Sequence, residues 1–352
     1  MTEYLSGLAE GLKPYVPGEQ PKGGEYIKLN TNESPYPPSP KVLEAIRAMT
    51  DGSLRLYPDP ASGVLLEAAS GYNGIPKEMI FAGNGSDEVL AFAFAAFYAG
   101  KKVVFPKVTY SFYPVYCGLF NVEYSEIPMV RGLGMDLAGM AGCGCGVVFP
   151  NPNAPTGELV DLASVEQIAA SNPGNVVLVD EAYIDFGGES SVRLTEKYEN
   201  LLVVQTMSKS RALAGMRIGL AFGSGKLIDG LRRVRDSFNS YPLNRLSQHA
   251  GAAALGDDEY YKEMREKIIR TREKSFGELG RLGFEFIKSS SNFILVSHPS
   301  VPAAKIYRNL KENNILVRYF AKEPLENHIR ITVGTDGQME TLFANLEKII
   351  GG

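Results

Sequence analysis

Lys209 is the residue of this chain best suited to covalent chemistry. It lies between two serines and follows the apolar run Leu201 to Val204. A lysine amine at the end of a buried strand is a usable nucleophile toward carbonyl groups. Ser208 and Arg217 supply a hydroxyl and a guanidinium, which are groups that bind phosphate. An imine-forming lysine beside a phosphate site suggests pyridoxal 5′-phosphate (PLP) as the cofactor, although a surface lysine in a polar loop is the more common arrangement.

Asp180 and Tyr183 follow a second apolar run, Val176 to Val179. An isolated buried carboxylate is costly, so a charge at this point must be paired or must face a ligand. Asp180 could keep a pyridine nitrogen protonated, which makes the ring an electron sink. Tyr183 could donate a hydrogen bond to the ring oxygen. The alternative is that Asp180 caps a helix and Tyr183 packs in the core.

A glycine-rich turn, Gly83 to Glu88, precedes the helical run Val89 to Tyr98. The turn contains Ser86 and Asp87, whose free N–H groups at the start of a helix would face an anion. The sequence therefore predicts a phosphate cradle, and an ordinary capped helix is the alternative.

Two further strand ends carry polar or aromatic residues. The proline-rich loop Phe149 to Gly157 contains Asn153, whose amide could reach an oxygen of a bound ring. Tyr110 follows the run Lys102 to Phe105 and could stack on a flat cofactor. A position in the core is an almost equal alternative for Tyr110.

Short apolar runs alternate with helical segments between residues 79 and 222, which predicts strands buried on both faces of a mostly parallel α/β sheet. In such sheets, ligands bind beyond the carboxyl ends of the strands. The candidate residues all follow strands, so we expect the sheet to bring them together. The predicted strands are Met79–Ala82, Lys102–Phe105, Val122–Ile127, Val147–Phe149, Val176–Val179, Leu201–Gln205 and Ile218–Phe222.

The chain divides into three predicted parts. Residues 1–40 are rich in Pro, Gly and Asn and predict an extended arm that packs with the small domain. Residues 41–240 form the predicted large, cofactor-binding domain. Residues 241–352 form a smaller α+β domain, in which strands follow a long charge-rich helix over Asp257 to Leu282. A chain of 352 residues is long enough for two such cores.

Composition argues against several classes of function. With 36 basic and 40 acidic residues, and a net charge of −4, the chain shows no sign of nucleic-acid binding. Met1 to Tyr15 lack a secretory signal, and the longest apolar run, Val89 to Ala99, is too short to cross a membrane. We therefore expect a cytoplasmic enzyme. The three cysteines and three histidines match no disulfide framework, metal site or catalytic triad, so no metal is expected.

Taken in order, these motifs resemble those of fold-type I PLP-dependent aminotransferases over essentially the whole chain. Within that family, the sequence is most similar to the group that acts on histidinol phosphate. The resemblance implies a large domain with a mostly parallel sheet, a smaller α+β domain and a PLP cofactor. The matching segments are Leu29–Pro35, Leu56–Asp59, Pro150–Gly157, Asp180–Tyr183, Ser208–Arg211, Leu213–Gly219 and Ile329–Gly334.

The resemblance also implies a role for each candidate. Lys209 is the imine-forming lysine, Asp180 partners the pyridine nitrogen, and Tyr183 donates to the ring oxygen. Many relatives have an asparagine directly before Pro-Thr-Gly, and its amide contacts the ring oxygen of PLP. This chain has Ala154 at that position, so Asn153 is the nearest amide that could make the contact. Of the remaining residues, Tyr110 stacks on the ring, Ser86, Asp87, Ser208 and Arg217 hold the phosphate, and Tyr15, Arg318 and Arg330 bind the anionic group of the substrate.

Assembly and activity are further implications of the resemblance. In such enzymes the tyrosine that matches Tyr57 reaches the cofactor of the partner subunit, which implies a homodimer. The implied reaction is reversible transamination between L-histidinol phosphate and 2-oxoglutarate, with glutamate as the other amino donor, in histidine biosynthesis. Threonine-phosphate decarboxylases and aromatic or general aminotransferases share the architecture and are the alternatives. A cofactor-binding regulator without catalysis fits less well, because Lys209 is intact.

Overall fold

The computed structural model describes residues 4–21, 23–130 and 132–351 and contains two β-sheets. The large sheet has a hydrophobic core on each face, and the small sheet packs in a third core. Residues 1–3 and 22 of the predicted arm lie outside the described part of the chain. None of the helices formed by the described residues combines the length and hydrophobicity that a membrane crossing requires. The strands are β1 (Ile27–Leu29), β2 (Ile80–Asn84), β3 (Lys102–Pro106), β4 (Glu123–Ile127), β5 (Gly146–Pro150), β6 (Val177–Asp180), β7 (Leu201–Thr206), β8 (Ile218–Gly223), β9 (Glu285–Phe286), β10 (Phe293–Ser297), β11 (Ile315–Tyr319) and β12 (Ile329–Thr332).

The large sheet consists of the seven strands predicted from the apolar runs, so the prediction of a mostly parallel α/β sheet is confirmed. Its spatial order is β2-β8-β7-β6-β5-β3-β4. Only β8 runs antiparallel to its neighbours, and the other strands are parallel to one another. All the parallel strands therefore end at the same edge of the sheet.

Helices cover both faces of this sheet, which explains why its strands lack the alternation of apolar and polar residues. One hydrophobic core includes Leu65, Val165 and Ala250, and the core on the other face includes Phe94 and Leu231.

The helices of the arm and of both domains, in chain order, are α1 (Gly7–Gly11), α2 (Pro40–Ala48), α3 (Gly63–Asn73), α4 (Gly85–Ala93, continued by a π-helical turn over Phe94–Tyr98), α5 (Tyr113–Phe120), α6 (Leu162–Ser171), α7 (Gly225–Phe238), α8 (Arg245–Leu255), α9 (Asp258–Arg281), α10 (Ala303–Glu312) and α11 (Asp336–Gly351).

Side-chain caps set the start of several helices. Ser39, Asp161 and Asn244 accept hydrogen bonds from N–H groups in the first turns of α2, α6 and α8, respectively. Each cap satisfies a donor that has no partner within the helix and typically contributes about 1 kcal/mol. The polar residues that interrupt the apolar pattern therefore define where these helices begin.

The small sheet has the order β1-β11-β12-β10-β9. Its edge strand β1 belongs to the N-terminal arm and pairs in parallel with β11, so that Leu29 lies opposite Val317. Leu29 is 1% exposed and packs in the core of the small domain. The arm is thus part of the small sheet through β1.

Helix α9 contributes side chains to a core of the large domain and to the core of the small domain. Tyr261, near its start, packs in the large-domain core, whereas Ile268 and Leu279 pack in the small-domain core. Helix α8 also packs on the large domain, although it lies beyond the predicted boundary at residue 240. We propose that the boundary falls within α9. Hydrogen exchange in which residues 245–261 open together with the small domain would contradict this boundary.

Candidate active site

The predicted cofactor residues gather at the carboxyl edge of the large sheet. Asp180 is the last residue of β6 and pairs in register with Val204 of β7. Lys209 lies just beyond Thr206, the last residue of β7. Because β6 and β7 are adjacent and parallel, the fold places Asp180 and Lys209 at neighbouring positions of the same edge.

The N-terminal arm holds the Lys209 amine. Lys209 Nζ donates a hydrogen bond to the carbonyl oxygen of Thr31 at 3.1 Å and lies 5.8 Å from the centre of the Tyr183 ring. The pKa of the nearby Glu33 carboxyl is lowered overall. Burial alone would raise it, but hydrogen bonds from Lys28 and Thr31 and the positive charges of Lys28 and Lys209 outweigh that effect. A segment remote in sequence therefore orients the lysine that was predicted from its own loop alone.

Asp180 is almost completely buried, and both of its carboxylate oxygens accept hydrogen bonds. The Tyr113 hydroxyl donates to Oδ2 at 3.1 Å, and the Ala182 N–H donates to Oδ1 at 3.2 Å. Burial raises the pKa of Asp180 to about 7, although the two hydrogen bonds act in the opposite direction. Within the described residues no basic side chain pairs with Asp180, so a cationic group of a ligand would meet no competing ion pair.

Strand β8 approaches the start of α4 very closely, next to the predicted phosphate cradle. A Cβ atom added at Gly219 would lie 2.4 Å from the carbonyl carbon of Gly85 and 2.5 Å from the nitrogen of Ser86. Gly85 itself has a φ of +81°, which only glycine adopts easily. The N–H groups of the first turn of α4, including those of Ser86 and Asp87, have no partner within the helix and are suited to an anion.

Gly219→Ala should distort this cradle. The added methyl group would clash with backbone atoms that cannot rotate away, at a cost of about 1–3 kcal/mol of stability. We expect a lower melting temperature and at least tenfold weaker retention of PLP, measured by thermal denaturation and by cofactor titration of the apoprotein. Gly215→Ala is the matched control, because an added Cβ there meets no atom within 4 Å. Equal retention of PLP by the two variants would contradict the assignment of the cradle.

The Asp87 side chain connects the residues predicted to bind the phosphate and the ring. Arg217 Nη2 donates to Asp87 Oδ2 at 2.9 Å, and the Tyr110 hydroxyl donates to Oδ1 at 2.8 Å. Burial, followed by the charge of Asp87, raises the pKa of Tyr110, so its hydroxyl stays protonated and can donate. Nearby, Ser208 is buried, and its Oγ accepts a hydrogen bond from Thr206 at 2.9 Å. Each of these groups is held in place by the protein itself.

Asn32 is a site residue that the sequence analysis did not identify. Its Nδ2 donates to the Tyr183 hydroxyl at 3.0 Å, which leaves the proton of that hydroxyl available for an oxygen of a ligand. Asn32 is buried with a φ of +57°. The Thr332 hydroxyl accepts a hydrogen bond from the backbone N–H of Asn32 and donates one to Asn32 Oδ1. The sequence signal was the match over Leu29–Pro35, but no local pattern connects that segment to Tyr183.

The structure does not support the predicted role of Asn153. Its side chain is fully buried, and Nδ2 donates to the carbonyl oxygen of Val108 and to Thr156 Oγ1, both at 3.0 Å. A carbonyl oxygen can only accept, so the amide nitrogen must face Val108. Asn153 Oδ1, which has no partner among the described residues, cannot donate to a ring oxygen. Both acceptors of the Asn153 amide are therefore groups of the protein, which argues against the predicted contact with the ring.

Two arginines of the small sheet point to an anion-binding site. Arg318 and Arg330 lie directly opposite each other on the antiparallel strands β11 and β12. Their guanidinium groups donate to the carbonyl oxygens of Val16 and Asn30, at 3.2 and 3.1 Å. No carboxylate in the described part of the chain forms an ion pair with either one, and Arg330 Nε is buried without a partner there. Like charges opposite each other are unfavourable unless an anion joins them.

Arg330 lies close to the cofactor residues. Burial lowers its pKa, and Tyr183, Tyr15 and Tyr110 are near enough to act on its charge. The Tyr15 ring lies 6.4 Å from that of Tyr110. The arm, the small sheet and the large sheet thus meet around one site.

Tyr57 lies on the surface of the chain. Its side chain is 78% exposed and stacks on Tyr241, with ring centres 4.7 Å apart. Its carbonyl oxygen accepts a hydrogen bond from Arg245. The structure thus leaves this ring free to contact another molecule.

Fold and site together define a PLP-dependent aminotransferase of fold type I. The family model described as aminotransferase class I and II matches residues 24–346, and the chain belongs to that family.

Its similarity to individual enzymes is high over the full length. It is 48% identical to the histidinol-phosphate aminotransferase of Clostridium botulinum (strain Kyoto / Type A2) over 351 residues, which cover 99% of each chain. It is 49% identical to histidinol-phosphate aminotransferase 1 of Bordetella parapertussis over 354 residues, again 99% of each. The crystal structure of the Sinorhizobium meliloti histidinol-phosphate aminotransferase in complex with PLP superposes with a TM-score of 0.89, at 25% identity, and covers 100% of this chain and 98% of that one.

Proposed function

We propose that this enzyme transfers the amino group of L-histidinol phosphate to 2-oxoglutarate, a step of histidine biosynthesis. Relatives that share 48% and 49% of its residues over the full length are enzymes named for that substrate. The structural observation that carries the proposal is the Arg318–Arg330 pair. Two arginines opposite each other on adjacent strands, one of them near Tyr183 and both without acidic partners among the described residues, suit a phosphate-bearing substrate.

The residues present fit PLP as the cofactor. The close approach of Gly219 to Gly85 exposes helix N–H groups to a phosphate, and Asp180 is a buried carboxylate without a cationic partner in the described chain. When bound, PLP supplies an aldehyde carbon and an electron-withdrawing ring. The residues that would hold it are Lys209 at the aldehyde, Asp180 at the pyridine nitrogen, Tyr183 at the ring oxygen, Tyr110 on the ring face, and Ser86, Asp87, Ser208 and Arg217 at the phosphate.

Lys209 performs the proton transfer in this proposal. Its Nζ, oriented by the Thr31 carbonyl oxygen at 3.1 Å, accepts the proton from the substrate carbon that bears the amine. With PLP bound, Asp180 would keep a proton on the pyridine nitrogen, and the Tyr183 hydroxyl, which Asn32 holds in place, would donate to the ring oxygen. Arg330 and Arg318 bind the phosphate of the substrate and thereby orient its amine toward Lys209.

One experiment separates this reaction from decarboxylation of a phosphorylated amino acid. The holoenzyme is mixed with L-histidinol phosphate or with threonine phosphate, in the absence of any keto acid. Transamination of histidinol phosphate should convert the aldehyde form of the cofactor to the amine form, with loss of the yellow colour. Release of carbon dioxide from threonine phosphate, with the aldehyde form retained, would contradict the proposal. A threonine-phosphate decarboxylase from Porphyromonas gingivalis superposes with a TM-score of 0.80, but at 20% identity it shows only the shared fold.

Arg330→Gln should weaken the binding of phosphate-bearing substrate. Loss of charge-assisted hydrogen bonds costs about 1.5–3 kcal/mol, which corresponds to a KM for L-histidinol phosphate about 10-fold to 150-fold higher. Steady-state kinetics with L-histidinol phosphate and with unphosphorylated L-histidinol provide the measurement. The change should be large for the first and small for the second.

Arg233→Gln is the matched control, because Arg233 is 80% exposed and pairs only with Asp229 in the described chain. Equal effects of Arg330→Gln on the two substrates would show that Arg330 does not bind the phosphate.

A homodimer is part of the proposal. Tyr57 is 78% exposed, and Leu54 and Leu56, on the same segment, are 52% and 51% exposed. An apolar surface segment of this kind suits burial against a second copy of the chain, where Tyr57 would reach the partner's cofactor. A molecular mass equal to one chain, found by sedimentation equilibrium of the holoenzyme, would exclude the dimer. The cytoplasmic location stays a prediction from the sequence.

A further inference from the structure

Three tyrosines spaced three residues apart, Tyr110, Tyr113 and Tyr116, form what we call the tyrosine ladder. Their hydroxyl groups all turn toward the two acidic residues of the site. Tyr110 donates to Asp87 Oδ1 at 2.8 Å, Tyr113 to Asp180 Oδ2 at 3.1 Å, and Tyr116 to the Asp87 carbonyl oxygen at 2.9 Å. Spacing by three places residues on one side of a helical turn, so one short segment serves both acidic residues.

The position of the Tyr113 hydroxyl is fixed by packing. Its side chain is 0% exposed, and its ring contacts those of Phe94, Phe105 and Tyr110, with centres 6.1, 5.8 and 5.7 Å away. A ring enclosed in this way cannot turn its hydroxyl to water. Asp180 Oδ2 is the hydrogen-bond partner that the structure gives it.

We propose that Tyr113 is a positioning residue for the reaction, because its hydroxyl keeps the Asp180 carboxylate charged and oriented for the pyridine nitrogen of PLP. This inference rests on the proposed function. A donor to the charged form of a carboxyl group stabilises that form, whereas burial favours the neutral acid. Only the charged form can accept the proton of a pyridinium ion. With one oxygen held by Tyr113 and the other by Ala182, the carboxylate cannot rotate.

The effect of removing this donor follows from the surroundings of Asp180. Burial already raises the pKa of Asp180 to about 7. Without the hydroxyl the pKa should rise further, so that the carboxyl group holds its proton at neutral pH. The proton shared by Asp180 and the pyridine nitrogen would then reside on the oxygen, and the ring would lose its capacity to withdraw electrons.

Tyr113→Phe removes one oxygen atom and leaves the ring packing intact, so it tests the proposal directly. Hydrogen bonds to charged groups contribute about 1.5–3 kcal/mol, and we expect kcat to fall between about 10-fold and 150-fold with little change in KM. Two spectroscopic measurements test the cause. In the apoprotein, carboxyl ¹³C NMR should show a higher pKa for Asp180. In the enzyme loaded with ¹⁵N-labelled PLP, the pyridine ¹⁵N signal should move toward the unprotonated position.

Tyr98→Phe is the matched control. Tyr98 is 1% exposed, and its hydroxyl bonds the carbonyl oxygens of Val176 and Val147, so this variant also loses one buried hydroxyl. It should leave kcat and both NMR measurements unchanged. If the two variants lose similar amounts of stability, that loss is the general cost of removing a buried hydroxyl group, and the fall in kcat of Tyr113→Phe has a separate cause.

The outcomes separate this inference from the proposed function. If Tyr113→Phe lowers kcat but neither NMR signal moves, the hydroxyl acts only through packing and the inference is wrong. If kcat, the Asp180 pKa and the ¹⁵N signal are all unchanged, it is equally wrong. If the wild-type enzyme does not transaminate L-histidinol phosphate, the proposed function fails, but the apoprotein titration still tests the contact between Tyr113 and Asp180.

Discussion

Lys209→Ala should abolish transamination, with a fall in turnover of about 10⁴-fold or more. The amine is the group that would hold the cofactor and transfer the proton, and no other lysine lies on the segment that leaves β7 for this edge of the sheet. Alanine removes both capacities at once. The measurement is the initial rate with L-histidinol phosphate and 2-oxoglutarate, together with the mass of the protein after borohydride reduction.

Lys226→Ala is the control for this variant, because Lys226 is 80% exposed and pairs with Glu199 at the surface. It should retain full activity and its covalent PLP. The reduced mass of Lys209→Ala should contain no PLP. Wild-type turnover by Lys209→Ala, or PLP bound covalently at a different lysine, would overturn the assignment of the site.

Asp180→Asn should have the second-largest effect. An amide has the size of the carboxylate but no charge, so it cannot keep the pyridine nitrogen protonated. Loss of one preorganised electrostatic partner typically costs about 10²–10³-fold in kcat. The rate of the half-reaction with L-histidinol phosphate measures this effect. Asp229→Asn, at an exposed ion pair with Arg233, should leave the rate unchanged, and an equal rate in Asp180→Asn would contradict the role of Asp180.

The same variant shows how Asp180 contributes to the stability of the protein without PLP. Its pKa is raised from the ordinary 3.8 to about 7, because burial disfavours the charged form in the folded state. The folded state therefore binds this proton more tightly than the unfolded state does. The contribution stabilises the fold at low pH and is lost as the pH rises from about 4 to about 7.

Thermal denaturation of the apoprotein measures this dependence. The melting temperature of the wild type minus that of Asp180→Asn should decrease over this pH range and stay constant above it. A difference that is independent of pH would show that burial does not perturb Asp180.

The sheet could be predicted from sequence because its strands are buried on both faces. Continuous apolar runs such as Val176 to Val179 are typical of strands inside a parallel sheet, and parallel strands necessarily end at one edge. Because β6 and β7 are adjacent and both end at this edge, Asp180 and Lys209 lie at neighbouring positions, whatever the conformation of the segment that connects the two strands. The order of the motifs along the chain thus carried most of the information about the site.

Contacts that join distant parts of the chain could not be predicted. Asn32 reaches Tyr183, and the Thr31 carbonyl oxygen reaches Lys209, but neither contact leaves a local pattern in the sequence. The later domain boundary that we propose has a related reason. The charge-rich pattern that begins near Asp257 is that of one continuous helix, α9, which packs against both cores in turn.

Tyr113 and Asn153 show how neighbouring residues decide a role. The three tyrosines at a spacing of three were visible in the sequence, but Tyr110 alone was considered for the site. Asn153 had the right chemistry, yet the carbonyl oxygen of Val108 takes its amide hydrogen. Residue type and spacing therefore predicted which residues would form the candidate site, whereas the directions of its hydrogen bonds required the structure.

Strand β1 has a consequence for how the enzyme is made. Asn32 and Asn30 bond Thr332 and Arg330, residues that are 300 positions later in the chain. During synthesis on the ribosome, the segment that carries β1 must therefore wait until strands made about 300 residues later have emerged. Until β11 and β12 have left the exit tunnel, β1 has no strand to pair with, so the Thr31 carbonyl oxygen that bonds the Lys209 amine is not yet held in place by the small sheet.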